Sequence, residues 1–345
     1  MKSTAFGLDI GTTTMKVVSV ERDKNAITYN SSFSVFTPQQ GMQSESPFDH
    51  QEMAIIINKL VIDAKITTNN VNIALPENHA YSKVIEMPSL SDDELSNAIY
   101  WEAEQYVPAP LDTVTLAWSK LRTFRNVLGE EKMQVFLVAA PKDVISRYQT
   151  ILDLAGLTIV SIETETLAMV RGVIADSTAP TALLMNIGSM NTSLCILQNG
   201  IIVFNYSFPL GGIALTRAIA SDFGFTPQQA EEYKAAYGLS DKNFGGKVRK
   251  AIDPILTSMM TEVRKAITFY NEKYKGESQI FQILLTGGGA NLPGLAVYFA
   301  QNIGIETLIA NPWEMLQVQK VPADVLVRGP LFTIALGLAL KEFES

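Results

Sequence analysis

A single cysteine, Cys195, stands in 345 residues, which excludes a disulfide framework and fits a reducing compartment. Histidine is almost as scarce. His50 and His79 are the only two, neither sits in a Cys or acid cluster at metal-ligand spacing, and both read as structural. Charge is thin as well: charged residues make up 18% of the chain, the formal net charge is −8, and no extended run of Lys or Arg offers a field for nucleic acid or an anionic membrane. Long apolar runs are missing too, since the best of them, PLFTIALGLAL, falls short of the roughly 20 residues a membrane helix needs. The start, MKSTAFGLDIG, enters a strand pattern too early for a signal peptide. These absences describe a soluble, cytoplasmic chain with no nucleic acid partner and no direct membrane insertion. Its 47% apolar content is enough to fill the cores of two or more domains.

What is present is a long-period duplication. FGLDIGTTTMKVVSV near the N-terminus and LLMNIGSMNTSLCIL about half the chain later share an apolar lead-in, an Ile-Gly step, small hydroxyl residues and an apolar exit. Asp9 of the first copy corresponds to Asn186 of the second. After the second copy, TSLCILQ and IIVFNYSF flank Asn199-Gly200, a strong hairpin signal because both turn positions tolerate positive φ. Helical patterns follow each copy, in DHQEMAIIINKLVIDA and IALTRAIASDFG. Strands followed by helices, twice over, predict two mixed α/β domains facing each other across a cleft.

Two regions fall outside the repeat. From Tyr81 to Thr150, Ser91 and Glu94 are spaced as a capping box ahead of a helix that stops before Pro108, and two strands and a helix ending at Gly156 follow. Around 215–276 the pattern is almost wholly helical, with Thr226 as cap and Pro227 at the first position of the helix carrying AEEYK. The expected division is a first domain of 1–80 with 151–178 and 328–345, an insertion of 81–150, a second domain of 179–212 with 277–327, and a helical subdomain of 213–276.

The loops suggest phosphate chemistry. Gly11 lets backbone N–H groups approach phosphate oxygens, Thr12, Thr13 and Thr14 add hydroxyls, Lys16 neutralises charge, and Asp9 is suited to holding Mg²⁺ through water. Such a turn also occurs as plain structure. A facing turn of Gly188, Ser189, Asn191 and Thr192 makes a two-sided phosphate clamp, and the pair is worth more than either part. In ILLTGGGANLPGL an apolar strand runs into Gly287, Gly288 and Gly289, with Asn291 before a helix, so no Cβ keeps a base or phosphate off that backbone. Glu231 and Lys234, three apart on one helix face, suit ribose hydroxyls and a base edge, with a solvated ion pair as the plain alternative. In the insertion, Trp118 alternates within a strand and reads as core, whereas the helix around Trp101 is the place for a partner peptide, laid in a groove or added along a strand. Cys195 reads as a small core residue.

The order LDIGTTTMK, SIETETLAMVRG, NIGSMNTSL, AEEYK, LLTGGGANLPGL and LFTIALGLAL resembles the phosphate 1, connect 1, phosphate 2, ribose, adenosine and connect 2 motifs of the actin, Hsp70 and sugar kinase superfamily. IEMPSLSDDELSNAIYWEAEQYVPAPLDTVTLAW and FPLGGIALTRAIASDFGFTPQQAEEYK narrow this, being similar to the 1C insertion and the post-phosphate 2 segment of the PilM family of type IV pilus assembly. The resemblance implies an actin-like α/β fold: two duplicated RNase H-like domains around a nucleotide cleft, with an inserted SHS2-type 1C subdomain. It further implies an ATP- and Mg²⁺-binding platform at the cytoplasmic face of the inner membrane that captures the N-terminal peptide of a PilN-type bitopic protein. Other pilus platform or motor components, and self-association, stay open.

Within that resemblance Asn186 is the departure, because superfamily members that hydrolyse ATP carry an acid there; Asn keeps the size and acceptor oxygen but loses the charge. Binding with weak or no hydrolysis is expected. Glu165 matches the position that orients water in related proteins, and Glu163 competes for that role. A sugar kinase reading lacks a recognisable base motif. An FtsA-like cell-division reading expects a linker and amphipathic membrane helix after connect 2, whereas this sequence stops at ALKEFES.

Overall fold

The computed structural model describes residues 4–23, 26–126, 128–174, 180–240, 245–275 and 278–344. Its strands are β1 (Phe6–Ile10), β2 (Thr14–Asp23), β3 (Ala26–Phe36), β4 (Asn70–Leu75), β5 (Tyr81–Pro88), β6 (Val114–Arg125), β7 (Glu131–Pro141), β8 (Thr158–Thr164), β9 (Ala182–Ile187), β10 (Thr192–Gln198), β11 (Ile201–Phe208), β12 (Gln282–Thr286) and β13 (Glu306–Ile309). The longer helices are α1 (Pro47–Asp63), α2 (Asp92–Ala103), α3 (Lys142–Leu154), α4 (Glu165–Val173), α5 (Gly212–Phe223), α6 (Pro227–Tyr237), α7 (Lys247–Lys273) and α8 (Leu295–Ile303), with a further helix at Thr333–Ala339.

The duplication is visible in the topology. One five-stranded sheet runs β3-β2-β1-β4-β8 and the other β11-β10-β9-β12-β13. In each, the strand entering the glycine turn pairs antiparallel with the strand leaving it and parallel with the next strand inward. Two mixed sheets of identical order, with helices packed on them, are the two α/β domains that the repeat predicts. Local chemistry accounts for several elements. All five residues of β1 are buried, as suits a central strand covered on both faces. Ser91 with Glu94 opens α2 as a full capping box, and Thr226 with Gln229 opens α6 in the same way. Asn199 and Gly200 both take positive φ, 51° and 74°, the backbone a two-residue hairpin needs. The polar turn after β2 and the expected boundaries at 178/179 and 276/277 lie outside the described residues.

A smaller sheet, β5-β7-β6, packs beside β11 and carries α2 on its face through Leu95, Ile99 and Ala103. The insertion thus opens with a strand before its helix. The helix α3 packs elsewhere, putting Tyr148, Ile151 and Leu152 into the first core with Phe6, Ile57 and Ile73. Trp118 is not core: it is 39% exposed on β6, because that edge strand has one face to solvent.

The inserted sheet also fastens the second half. Asn205 Nδ2 donates to Ser82 O and Oγ at 3.1 and 2.7 Å, Lys273 pairs with Glu86 at 2.8 Å, Gln134 Nε2 donates to Tyr274 Oη at 3.0 Å, and Arg122 Nη1 donates to Gln198 Oε1 at 2.6 Å. Behind this polar seam lies a shared apolar cluster. Ala74, Val84, Phe136 and Met169 meet Leu184, Cys195, Leu197 and Ile202 there.

Candidate functional site: a cleft closed by two matching glycine turns

Each turn is closed by the same hydrogen bond. Gly11 N donates to Thr14 O at 3.2 Å, and Gly188 N donates to Asn191 O at 3.0 Å. Each is then anchored differently. Thr37 holds the first, its N–H donating to Thr13 O at 2.9 Å and its hydroxyl to Gly11 O at 2.7 Å. The first amides of α5 hold the second, Gly212 N donating to Gly188 O at 2.9 Å and Ile213 N to Ser189 O at 2.8 Å. The turns face one cavity of about 900 Å³.

Across the first turn Asp9 lies in register with Lys16, and Lys16 Nζ donates to Asp9 Oδ2 at 2.9 Å in a buried ion pair. Asn186 lies in register with Ser193 across the second. The two copies thus differ at both members of the cross-strand pair.

Of the residues read from the sequence, Asp9, Gly11, Thr12, Thr13, Thr14, Lys16, Asn186, Gly188, Ser189, Asn191, Glu231, Lys234, Gly287, Gly288, Gly289, Asn291 and Glu165 all line this cavity. Thr192 does not. Its buried side chain turns to the opposite face of β10 and donates to Leu210 O at 2.6 Å, as strand alternation requires once Ser193 faces the cavity. Glu163 stands apart as well, held by Arg171 at 2.5 and 2.9 Å in a cluster with Glu344 and Lys341. The three glycines are not equivalent. Gly287 has φ +82°, and a Cβ there would run into Asn186 Oδ1; a Cβ on Gly289 would strike the Ile187 side chain. Gly288 meets only Leu331, at 3.5 Å, and has room for a methyl group.

Glu231 and Lys234 form a braced pair 2.7 Å apart. Thr216 ties them to α5, donating to Glu231 Oε2 at 2.6 Å, while Lys234 Nζ reaches Thr216 Oγ1 at 2.9 Å and Gly212 O at 3.1 Å. Glu77 is the carboxylate that sequence reasoning missed. It follows β4 and lines the cavity, accepting from Thr166 N at 3.1 Å, from Thr166 Oγ1 at 2.5 Å and from Ser82 Oγ at 2.6 Å. The available signal was an acid two residues past the apolar strand NVNIAL, since ligands of open α/β sheets gather at the carboxyl ends of strands. Glu165, which faces the cavity from the start of α4, is pushed up to about 8 by burial, by the charges of Asp9 and Glu77, and against the opposing pull of Lys16. At neutral pH it is mostly protonated. The arrangement offers an anion paired backbone turns, hydroxyls and two lysines, Lys16 and Lys234, each already paired with an acid. Among the described residues no three His, Cys, Asp or Glu are grouped to hold a metal ion, and no helix is long and apolar enough to cross a membrane.

Comparison with known proteins adds four findings. The sequence pattern of the family described as Type IV pilus assembly protein PilM matches residues 7–343. A chain of the PilM-PilN type IV pilus biogenesis complex superposes with a TM-score of 0.86 at 28% identity, covering 100% of both chains. MreB5 of Spiroplasma citri bound to AMPPNP shares the fold, with a TM-score of 0.51 at 14% identity over 98% of this chain and 95% of that one. By sequence, the cell division protein FtsA of Enterococcus faecalis is 23% identical over 375 residues, or 96% of this chain and 82% of that protein.

Proposed function

The chain belongs to the family of type IV pilus assembly protein PilM, and from that premise we propose that it binds ATP with Mg²⁺ between its two halves and hydrolyses it slowly or not at all. The observation that carries this reading is the pair of matching turns on one cavity of nucleotide size. Mg²⁺ would sit on the Asp9 side, taking most of its ligands from water and phosphate, and would supply charge neutralisation for the triphosphate. Slow turnover follows from one property of this chain: Asn186 brings no charge to the second turn, where an acid would help hold Mg²⁺ and order the attacking water. Titration calorimetry with Mg·ATP tests binding, with heat uptake abolished in Lys16→Ala expected. Phosphate release above one turnover per minute by pure protein at pH 7 would refute the hydrolytic half.

The partner side rests on the relative solved as a PilM-PilN complex. The chain takes the N-terminal peptide of a PilN-type membrane protein on its inserted module and so works at the cytoplasmic face of the inner membrane. Supporting this, Trp101 is 68% exposed on α2 with Tyr100 packed edge-on against it at 6.1 Å, and β6 is an edge strand able to receive an extended segment. Loss of peptide binding in Trp101→Ala, by fluorescence polarisation with a synthetic PilN-type peptide, is the expected result. Unchanged affinity would move the groove away from α2.

A further inference from the structure

The charged groups of the cleft are unevenly committed. Lys16 is spent on Asp9 at 2.9 Å. Lys234 is spent on Glu231, Thr216 and the Gly212 carbonyl. Arg217 also lines the cavity, is exposed, and among the described residues has neither an acid partner nor a hydrogen bond. Among the described residues that line the cavity, it is the one cation left free for a ligand.

Its surroundings say what kind of ligand group. On α5, Ile213, Arg217 and Ala220 share one helix face at spacings of four and three, and all three line the cavity. From α6, Pro227 and Ala235 line the same cavity, and Leu292 adds an apolar side chain. Small or flat apolar groups in one lining with a solvated guanidinium suit a planar ring. They offer no second cation or backbone amide cluster of the sort that collects phosphate. Phosphate is met by the glycine turns, Gly11–Thr14 and Gly188–Asn191, the second of which holds the start of α5 about one helical turn before Arg217. The Thr216–Glu231–Lys234 ties hold α5 and α6 together beside Arg217, so this part of the lining is braced before anything enters it.

We propose that Arg217 stacks its guanidinium on the purine ring of the bound nucleotide and sets much of the affinity for the nucleoside end. This rests on the reading of the cleft as a nucleotide site. The guanidinium plane over an aromatic ring is a favoured, weakly hydrated pairing, and it is tolerant of base identity because every base has a π-face. Arg217 therefore raises affinity without choosing between adenine and guanine.

The test is a competition series on the full chain, with ATP, ADP, adenosine, GTP and inorganic triphosphate as probes against wild type, Arg217→Ala and Arg217→Lys. Thermal melting serves as a control that the variants fold. The expected result is a loss of about tenfold in affinity for ATP, ADP, adenosine and GTP alike in Arg217→Ala, an unchanged affinity for inorganic triphosphate, and only partial recovery in Arg217→Lys. A loss that grows with phosphate number, or one shared by inorganic triphosphate, places the side chain on the phosphates and overturns the proposal. So does unaltered ATP affinity in Arg217→Ala while wild type binds. If wild type itself takes up no nucleotide, the nucleotide reading falls, and this inference with it.

Discussion

The two glycine turns are the same backbone carrying opposite electrostatics. The first has Asp9 and Lys16 facing each other across its strands, the second Asn186 and Ser193 at the matching register positions. A carboxylate at 6% exposure is costly unless a cation meets it, so charge in this place comes as a pair or not at all. The neutral second turn is thus more than the loss of one acid. It is the uncharged member of two self-consistent solutions.

The sharpest way to break this comparison is Lys16→Ala, which strands Asp9. A loss of about 3 kcal/mol in urea unfolding is expected, whereas the double variant Asp9→Asn with Lys16→Ser, which copies the second turn into the first, recovers most of that stability without recovering nucleotide binding. Next is Gly287→Ala. Positive φ and the approach of Asn186 to the added methyl predict a cost of roughly 2 kcal/mol or more and loss of binding, while Gly288→Ala leaves both within error; equal behaviour of the two would show that the three-glycine stretch is merely flexible. Asn186→Asp alone places an acid opposite Ser193 and is expected to cost about 1–2 kcal/mol, reduced when Ser193→Lys is added. Unchanged stability of the single variant would mean the second turn never needed neutrality.

The smallest effect concerns Glu165. Its folded-state pKa of about 8 lies above the ordinary 4.5, so the folded chain holds a proton that the unfolded chain releases. The stability this gives is present below about pH 4.5 and drains away as pH rises through 8. Glu165→Gln should therefore melt roughly 2–5 °C above wild type at pH 8, with the gap closing toward pH 5. A constant gap across that range would mean the carboxyl titrates normally.

Much of this site was legible because it is local. Ile-Gly with hydroxyl residues after a strand, repeated half a chain later, names both the turns and the two α/β halves that hold them. Thr192 was misplaced for want of one comparison: its counterpart in the first copy is Met15, a buried core residue, and the alternation it shares with Met15 sends it inward. Glu77 stayed hidden because its role depends on Thr166 and Ser82, which come from other parts of the chain. The helix α3 was assigned to the insertion because it follows the insertion's strands directly. Only its packing beneath α1 shows that its buried face serves the first core.

The apolar cluster shared by Ala74, Val84 and Phe136 with Leu184, Cys195 and Ile202 makes one continuous core out of parts of both halves. Heating should accordingly melt both sheets in one cooperative calorimetric peak.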